Sequence, residues 1–273
     1  MNDVNGVNWR AEDLWLALEP LCPGLSIEVL PETASTNAAL LERARLGDPA
    51  PCLMVAERQT AGRGRMGRAW WSKQGDSLTF SVGLPYAPQD WSGLSLAVGV
   101  ALADALEPQP GTEPRLGLKW PNDLWLRNND PSDLSAHKLG GILIETLMLP
   151  HAQRWLVIGV GLNIAAQPTH LPDTPFNTGY AGLQSLDTAL DAPTALHRLA
   201  APLLQALQRF EHQGWAAFQA RFAARDVLAG CIVQAGPSIQ GRAAGTDHEG
   251  ALLVHTASGI ETIHSGEVSV RPC

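Results

Sequence analysis

The sequence predicts an α+β protein in two parts: a large domain of helices and strands over residues 1–225, and a small all-β domain over residues 226–273. Three observations predict it. Helical and strand periodicities take turns along the first part. From about Val227 short apolar stretches alternate with Gly230, Gly236, Gly241, Gly245, Gly250, Gly259 and Gly266, a spacing that suits a small antiparallel barrel. Hydrophobic residues make up 45% of the 273 and charged residues 17%, so the chain can bury a sizeable core.

The elements follow in order. Asn2–Asn8 reads as an irregular start. Trp9, Leu14, Trp15 and Leu18 predict a short amphipathic helix ended by Pro20 and Pro23, then a strand over Ile27–Leu30 and a turn over Pro31–Ser35. A helix from about Thr36 to Leu46 buries Leu40, Leu41 and Ala44, and Gly47-Asp48-Pro49 stops it. Leu53–Glu57 reads as a buried strand. Leu78, Phe80, Val82 and Leu84 alternate, with Thr79 and Ser81 between them, as a strand does. Leu94, Ala97, Val98, Ala101, Leu102 and Ala105 predict a helix over Ser92–Glu107 with Ser92 as N-cap. Strands are expected at Leu116–Lys119, Ile142–Leu147 and Trp155–Val160, with a long loop over Ala165–Leu186. Asp191 and Pro193 open a helix carrying Leu196, Leu199, Leu203, Leu207 and Phe210, with Pro202 as a point of kinking. Trp215, Phe218 and Phe222 mark a second helix after Gly214. Ile232–Val233, Leu252–Val254 and Val268–Val270 are the strands expected in the small domain.

Nineteen Lys and Arg against 27 Asp and Glu leave a net charge of −8, which argues against a general nucleic-acid or anionic-membrane binder. Cys22, Cys52, Cys231 and Cys273 show neither a disulfide framework nor metal-site spacing. The polar start and the lack of a membrane-length apolar run lead to the expectation of a cytoplasmic protein, with no membrane partner.

Against that acidic background, one basic segment stands out: Glu57-Arg-Gln-Thr-Ala-Gly-Arg-Gly-Arg-Met-Gly-Arg68. Gly62, Gly64 and Gly67 spell a dinucleotide fingerprint, but a strand follows Arg68-Ala-Trp-Trp-Ser-Lys73 where that motif needs a helix, which sets aside a nicotinamide-dependent oxidoreductase. What remains is a strand–loop–strand element with Arg58, Arg63, Arg65, Arg68 and Lys73. Glycines let such a loop wrap a ligand and guanidiniums offer forked donors to carboxylate or phosphate. The same residues also suit a solvated loop or a nonspecific nucleic-acid patch.

Three further motifs stay open on their own residues. Lys119-Trp-Pro-Asn-Asp123 places an amide and a carboxylate at a strand end, or is a plain turn. Lys138-Leu-Gly-Gly141 sets a lysine before a buried strand, or a lysine facing solvent. Gly159-Val-Gly-Leu-Asn163 allows close backbone approach with Asn163 reaching a ligand, or is a bulge with a capping Asn. Trp70, Trp71, Trp120 and Trp125 gather around these motifs and fit either a core or the walls of a flat-heterocycle site.

With Ser35-Thr36-Asn37 and Gln59, these motifs occur in one order that resembles the biotin protein ligases, over roughly Ile27 to Cys273 and including Gly250-Ala-Leu-Leu-Val and Gly266-Glu-Val-Ser. The resemblance implies a central mixed sheet flanked by helices, of the class II aminoacyl-tRNA-synthetase and biotin ligase type, followed by a small SH3-like β-barrel. It implies activation of biotin with ATP and Mg2+ to biotinoyl-5′-AMP and transfer of biotin to a lysine of a biotin carboxyl carrier protein, as in acetyl-CoA carboxylase. Such chemistry needs no protein nucleophile, only cations that hold two anions in line.

The resemblance assigns residues as well. Ser35, Thr36, Asn37 and Gln59 meet the ureido ring, whose donors and acceptors suit hydroxyls and amides. Gly62, Arg63, Gly64 and Arg65 wrap biotin, and Trp70 closes the pocket. Gly141, Gly159 and Gly161 admit the tail. Arg63, Arg65, Arg68, Asn122, Asn163 and Lys138 face ATP. Lys138 is the catalytic cation between the biotin carboxylate and the α-phosphate, Arg65 lies nearest the mixed anhydride, and Asp123 binds magnesium or orients Lys138. The Arg58–Trp71 loop is expected to order on ligand binding. Met66 stands where many relatives carry a further arginine, and Asn128–His137 is a longer connection than usual. Only 26 residues precede Ile27, too few for the winged helix of operator-binding relatives, so a ligase without DNA binding is expected. A homodimer through an edge strand is left open. The alternatives are a lipoate or octanoate ligase of the same fold, and a non-enzymatic nucleic-acid-binding regulator.

Overall fold

The structure, a computed structural model, describes residues 7–108, 114–128, 136–166, 179–264 and 270–272. Its elements are α1 (Ala11–Leu18), β1 (Ser26–Thr33), α2 (Thr36–Arg45), β2 (Cys52–Gln59), β3 (Gly62–Arg63), β4 (Ala69–Trp70), β5 (Ser77–Pro85), α3 (Leu94–Leu106), β6 (Leu116–Lys119), β7 (Asp123–Arg127), β8 (Ala136–Met148), β9 (Arg154–Asn163), α4 (Ala192–Gln213), α5 (Ala216–Arg225), β10 (Ile232–Ala235), β11 (Ile239–Thr246), β12 (Leu252–Thr256), β13 (Gly259–Ile263) and β14 (Val270–Pro272). Most of the irregular start, most of the Asn128–His137 connection, the middle of the Ala165–Leu186 loop, and Gly266 to Ser269 lie outside the described residues. The chain forms two compact units, Met1–Ala87 with Leu139–Gln205, and Pro88–Lys138 with Ala206–Cys273.

In the first unit the strand order is β1-β2-β5-β9-β8. β1 and β2 are parallel, with α2 as their crossover, from Ser26↔Cys52 to Thr33↔Gln59. The later neighbours are antiparallel, β5 pairing β9 from Ser77↔Asn163 to Pro85↔Trp155, so the sheet is mixed. Leu40, Leu41 and Ala44 of α2 pack on Cys52, Met54, Trp155 and Val157. Each fully buried leucine there contributes about 1.5–3 kcal/mol. In α1, Leu14 and Leu18 are buried while Trp15 faces out.

Three boundaries differ from expectation, the largest at β8, expected over Ile142–Leu147 and observed over Ala136–Met148. β1 runs through Pro31 to Thr33 because it is the edge strand, and its pairing with β2 steps over the proline, which has no N–H to give. β9 continues through Gly159 and Gly161 to Asn163, since β5 and β8 hold it from both sides.

In the second unit α3 starts at Gly93, whose φ of 78° is left-handed, and Ser92 is not the cap. The Ser92 N–H instead donates to Asp90 Oδ1 at 2.8 Å. A Cβ at Gly93 would meet the Trp215 ring at 2.8 Å, so only glycine brings the chain past that tryptophan. β6 and β7 form a hairpin from Leu116↔Leu126 to Lys119↔Asp123. β7 lacks the alternation that announces a strand because Leu124, Trp125 and Leu126 are all buried. The small domain is an antiparallel sheet in the order β13-β12-β11-β10-β14.

Arg221 and Arg225 tie α5 to α3, and Arg225 reaches the hairpin as well. Arg225, buried, bonds Asp104 at 3.1 Å, Glu107 at 2.7 Å and the Leu116 carbonyl at 2.9 Å. Trp120 donates its indole N–H to the Gly250 carbonyl at 3.0 Å, linking the hairpin tip to the small sheet. Trp120 and Trp125 are thus packing residues of this unit, with the Lys119 ammonium 5.3 Å from the Trp125 ring centre. Among the described residues no helix is long and apolar enough to cross a membrane.

Candidate functional site

The first unit gathers the polar residues expected to meet a ligand at the start of α2. Ser35 caps that helix, its Oγ accepting from the Ala38 N–H at 3.4 Å. The Thr36 N–H donates to Gln59 Oε1 at 2.7 Å, which draws the end of β2 onto the helix start. Thr36 Oγ1 lies 2.6 Å from Ser81 Oγ, and Ser81 Oγ donates to Asn37 Oδ1 at 2.6 Å. The Asn37 amide nitrogen donates to Glu145 Oε2 at 2.8 Å and to the Leu143 carbonyl at 3.3 Å. Ser35, Thr36, Asn37 and Ser81 are all buried. The sheet therefore carries a continuous hydrogen-bonded string from Gln59 to Glu145, with each buried polar group partnered.

Ser81 and Glu145 belong to this string and were not marked by the sequence. The alternation of β5 shows Thr79 and Ser81 opposite Leu78, Phe80 and Val82. It does not show that both faces of the strand are buried, as they are here. Glu145 meets Asn37 across 108 residues of chain, a pairing that only the strand order creates.

The glycines of β9 make room for the protein's own side chains. A Cβ at Gly159 would collide with the Asn37 amide oxygen, and one at Gly161 would sit 2.5 Å from the Trp70 ring. Trp70 pairs with Gly62 in a two-stranded ribbon of β3 and β4, where a Cβ at Gly62 would meet the Trp70 carbonyl at 2.6 Å. The Trp70 indole N–H is buried without a hydrogen-bond partner. Gly141 pairs with Gly161 across β8 and β9.

The glycine–arginine segment is a hairpin standing on a fixed base. Ser72 Oγ accepts the Gln59 N–H at 2.7 Å and donates back to the Gln59 carbonyl at 3.2 Å. At the tip, the Gly64 N–H donates to the Arg68 carbonyl at 2.7 Å. Met66 sits in the left-handed region with φ of 57°, next to Gly67 at 70°. Arg63 is exposed, while Arg65 and Arg68 are half-buried. Asn163, at the end of β9, is buried and donates to the Ala181 carbonyl at 3.2 Å.

The other three expected residues lie in the second unit. Asp123 opens β7 directly after the hairpin turn that holds Asn122, and Lys138 lies near the start of β8. Lys138 Nζ donates to Asp123 Oδ1 at 2.8 Å, with both side chains largely shielded (15% and 11% exposed). A shielded ion pair of this kind fixes an ammonium that a flexible lysine would otherwise wave through solvent. Among the described residues no three His, Cys, Asp or Glu side chains come together as a metal cluster.

Residues 29–163 match the model of the biotin/lipoate A/B protein ligase family, and residues 230–271 match the biotin protein ligase C terminal domain. The chain is 35% identical over 254 residues to the bifunctional ligase/repressor BirA of Escherichia coli, covering 91% of this chain and 75% of that protein. It is 34% identical over 255 residues to the biotin–[acetyl-CoA-carboxylase] ligase of Mycobacterium tuberculosis, covering 89% and 88%. Among solved structures it resembles the biotin protein ligase from Aquifex aeolicus in complex with biotin and ATP. That likeness has a TM-score of 0.71 and 27% identity, over 90% of this chain and 99% of that one.

Proposed function

This chain belongs to the biotin/lipoate A/B protein ligase family, and from that premise we propose that it activates biotin with MgATP to biotinoyl-5′-AMP and transfers biotin to a lysine of a biotin carboxyl carrier protein, such as that of acetyl-CoA carboxylase. The observation that carries the choice of biotin is the polar floor formed by Thr36, Gln59, Ser81 and Asn37. A cyclic urea offers two N–H donors and a carbonyl acceptor to such a floor. Lipoate and octanoate have no polar head and would leave the Gln59 amide NH2, the donor not used inside the string, without a ligand partner, at about 1–3 kcal/mol.

Ser35, Thr36, Asn37 and Gln59 hold the ureido ring. Gly62, Arg63, Gly64 and Arg65 of the hairpin cover the ligand, and Trp70 closes over Gly161. Gly141, Gly159 and Gly161 keep the β8–β9 floor flat enough for the tail and for Trp70. Lys138, held by Asp123, places its ammonium where the biotin carboxylate approaches the α-phosphate and lowers the repulsion between the two anions. Arg63, Arg65, Arg68, Asn122 and Asn163 take the nucleotide, with Arg65 against the mixed anhydride. Magnesium arrives with ATP as part of that substrate, and Asp123 serves Lys138. Closure of the hairpin excludes water from the adenylate. The small domain, from residue 226, completes the nucleotide and carrier-protein contacts. The reaction takes place in the cytoplasm, and the net charge of −8 gives duplex DNA little to hold.

ATP–pyrophosphate exchange tests the reading. Exchange that depends on biotin and magnesium is the expected result. Exchange with lipoate or octanoate in place of biotin would move the substrate assignment to those acids. Absence of exchange with any acid, in protein shown to be folded, would overturn acid activation altogether.

A further inference from the structure

We propose that Glu145 is a positioning residue for substrate recognition: through Asn37 and Ser81 it sets which groups at Thr36 and Gln59 donate and which accept. The proposal rests on the biotin reading above, and concerns a residue that touches no substrate.

Glu145 lies on β8, and its side-chain oxygen accepts from the Asn37 amide nitrogen. It faces the Asn37 amide at 2.8 Å, with the Leu143 carbonyl, another acceptor, at 3.3 Å on the same nitrogen. Asn37 must therefore turn its NH2 to β8 and its oxygen to Ser81. Ser81 has one hydroxyl proton and spends it on that oxygen at 2.6 Å. The 2.6 Å contact between Thr36 Oγ1 and Ser81 Oγ is then a hydrogen bond only if Thr36 is the donor. The single Thr36 hydroxyl proton is committed, and its 3.2 Å approach to Gln59 Oε1 is at most a secondary share of it.

Two consequences follow at the ligand end. Thr36 Oγ1 keeps only lone pairs and can serve an incoming N–H. Gln59 Oε1 is occupied by the Thr36 backbone N–H at 2.7 Å, which leaves the Gln59 amide NH2 to serve an incoming carbonyl. An acceptor beside a donor is the complement of a urea edge. With the Glu145 carboxylate removed, the Leu143 carbonyl alone orients Asn37 at longer range. The amide can then turn over, and the string can reverse so that Thr36 becomes a donor facing another donor.

The test is steady-state ATP–pyrophosphate exchange on the full chain, with KM for biotin and for ATP measured separately. Folding is checked by circular dichroism. Glu145→Ala is expected to raise KM for biotin by about tenfold or more, the loss of one charge-assisted hydrogen bond, with KM for ATP and kcat close to wild type. Glu145→Gln, which still offers a carbonyl to Asn37, is expected to recover most of that loss. Ser81→Ala should match Glu145→Ala, and the double variant should be no worse than either single change, because both cut one string. Should alanine weaken β8, Glu145→Val carries the same test with a good strand former. A biotin KM within about twofold of wild type in a folded Glu145 variant would overturn the proposal. So would losses from Glu145→Ala and Ser81→Ala that multiply in the double variant. A wild-type protein without biotin-dependent exchange would instead overturn the functional reading on which this one stands.

Discussion

Lys138 is an ammonium with a carboxylate already in hand. Asp123 holds it at 2.8 Å in a site where neither side chain is more than 15% exposed. Such a pair resists screening better than a surface one, and removing the lysine leaves the Asp123 carboxylate shielded without its ammonium. Lys138→Ala should lower biotin-dependent exchange by about a hundredfold or more, since a cation aimed at developing charge is among the larger single contributions to catalysis. Asp123→Asn keeps a hydrogen-bonding partner but loses its charge, and should cost about tenfold in kcat while the protein stays folded. Exchange rates on both variants decide this. A Lys138→Ala enzyme with near-normal exchange would remove the lysine from its role.

At the scale of elements, Arg225 decides how α5 meets α3 and the β6–β7 hairpin. Its guanidinium spans Asp104, Glu107 and the Leu116 carbonyl with only 4% of the side chain exposed. Arg225→Ala would take the buried guanidinium from Asp104, which keeps Arg221 at 2.9 Å, from Glu107, which keeps the Arg115 and Leu116 N–H groups, and from the Leu116 carbonyl, and should destabilise the protein by about 1.5–3 kcal/mol in urea titration. Arg225→Lys, which lacks the planar fork, should recover only part of that. Elements of this kind were partly legible in the sequence. The apolar spacing of α2, α4 and β5 announced them, whereas Lys138-Leu-Gly-Gly141, expected to precede the strand, lies within β8 because two glycines offer no apolar alternation to read. The Ser92 cap was misread because Gly93 supplies a left-handed turn that side-chain preference does not anticipate. β7 is buried throughout and so lacks alternation, β11 carries Gly241 and Gly245 within it, and all but the last residue of β13 is exposed. The string from Gln59 to Glu145 was only half visible. Thr36, Asn37 and Gln59 sit in local motifs, whereas Ser81 and Glu145 join them through strand pairing between distant segments.

For the molecule as a whole, the titration of Asp226 sets a pH dependence of stability. Its carboxyl follows α5, is 6% exposed and has an oxygen with no hydrogen-bond partner. Burial pushes its pKa up to about 6. Because the folded protein holds this proton more tightly than the unfolded chain, the associated stability is fully present below about pH 4 and is lost as pH rises through 6. The loss is on the order of 2–3 kcal/mol at neutral pH. Asp226→Asn should remove this slope, read as the difference between wild-type and variant urea stabilities at pH 4.5 and 7.5. Parallel curves for the two proteins would show that Asp226 titrates normally.

Each of the two units is assembled from separated stretches, Met1–Ala87 with Leu139–Gln205 and Pro88–Lys138 with Ala206–Cys273. During synthesis on the ribosome this order imposes a schedule. When α3 and the β6–β7 hairpin emerge, Arg225 and the Gly250 carbonyl that will secure them have yet to be translated. The nascent chain must carry Leu116, Leu118 and Leu124, all destined for burial, through a long interval without their final neighbours. The first unit is complete once Gln205 has emerged, whereas the second waits for the last quarter of the chain, so the demand for chaperone protection should fall on α3 and the β6–β7 hairpin in that interval.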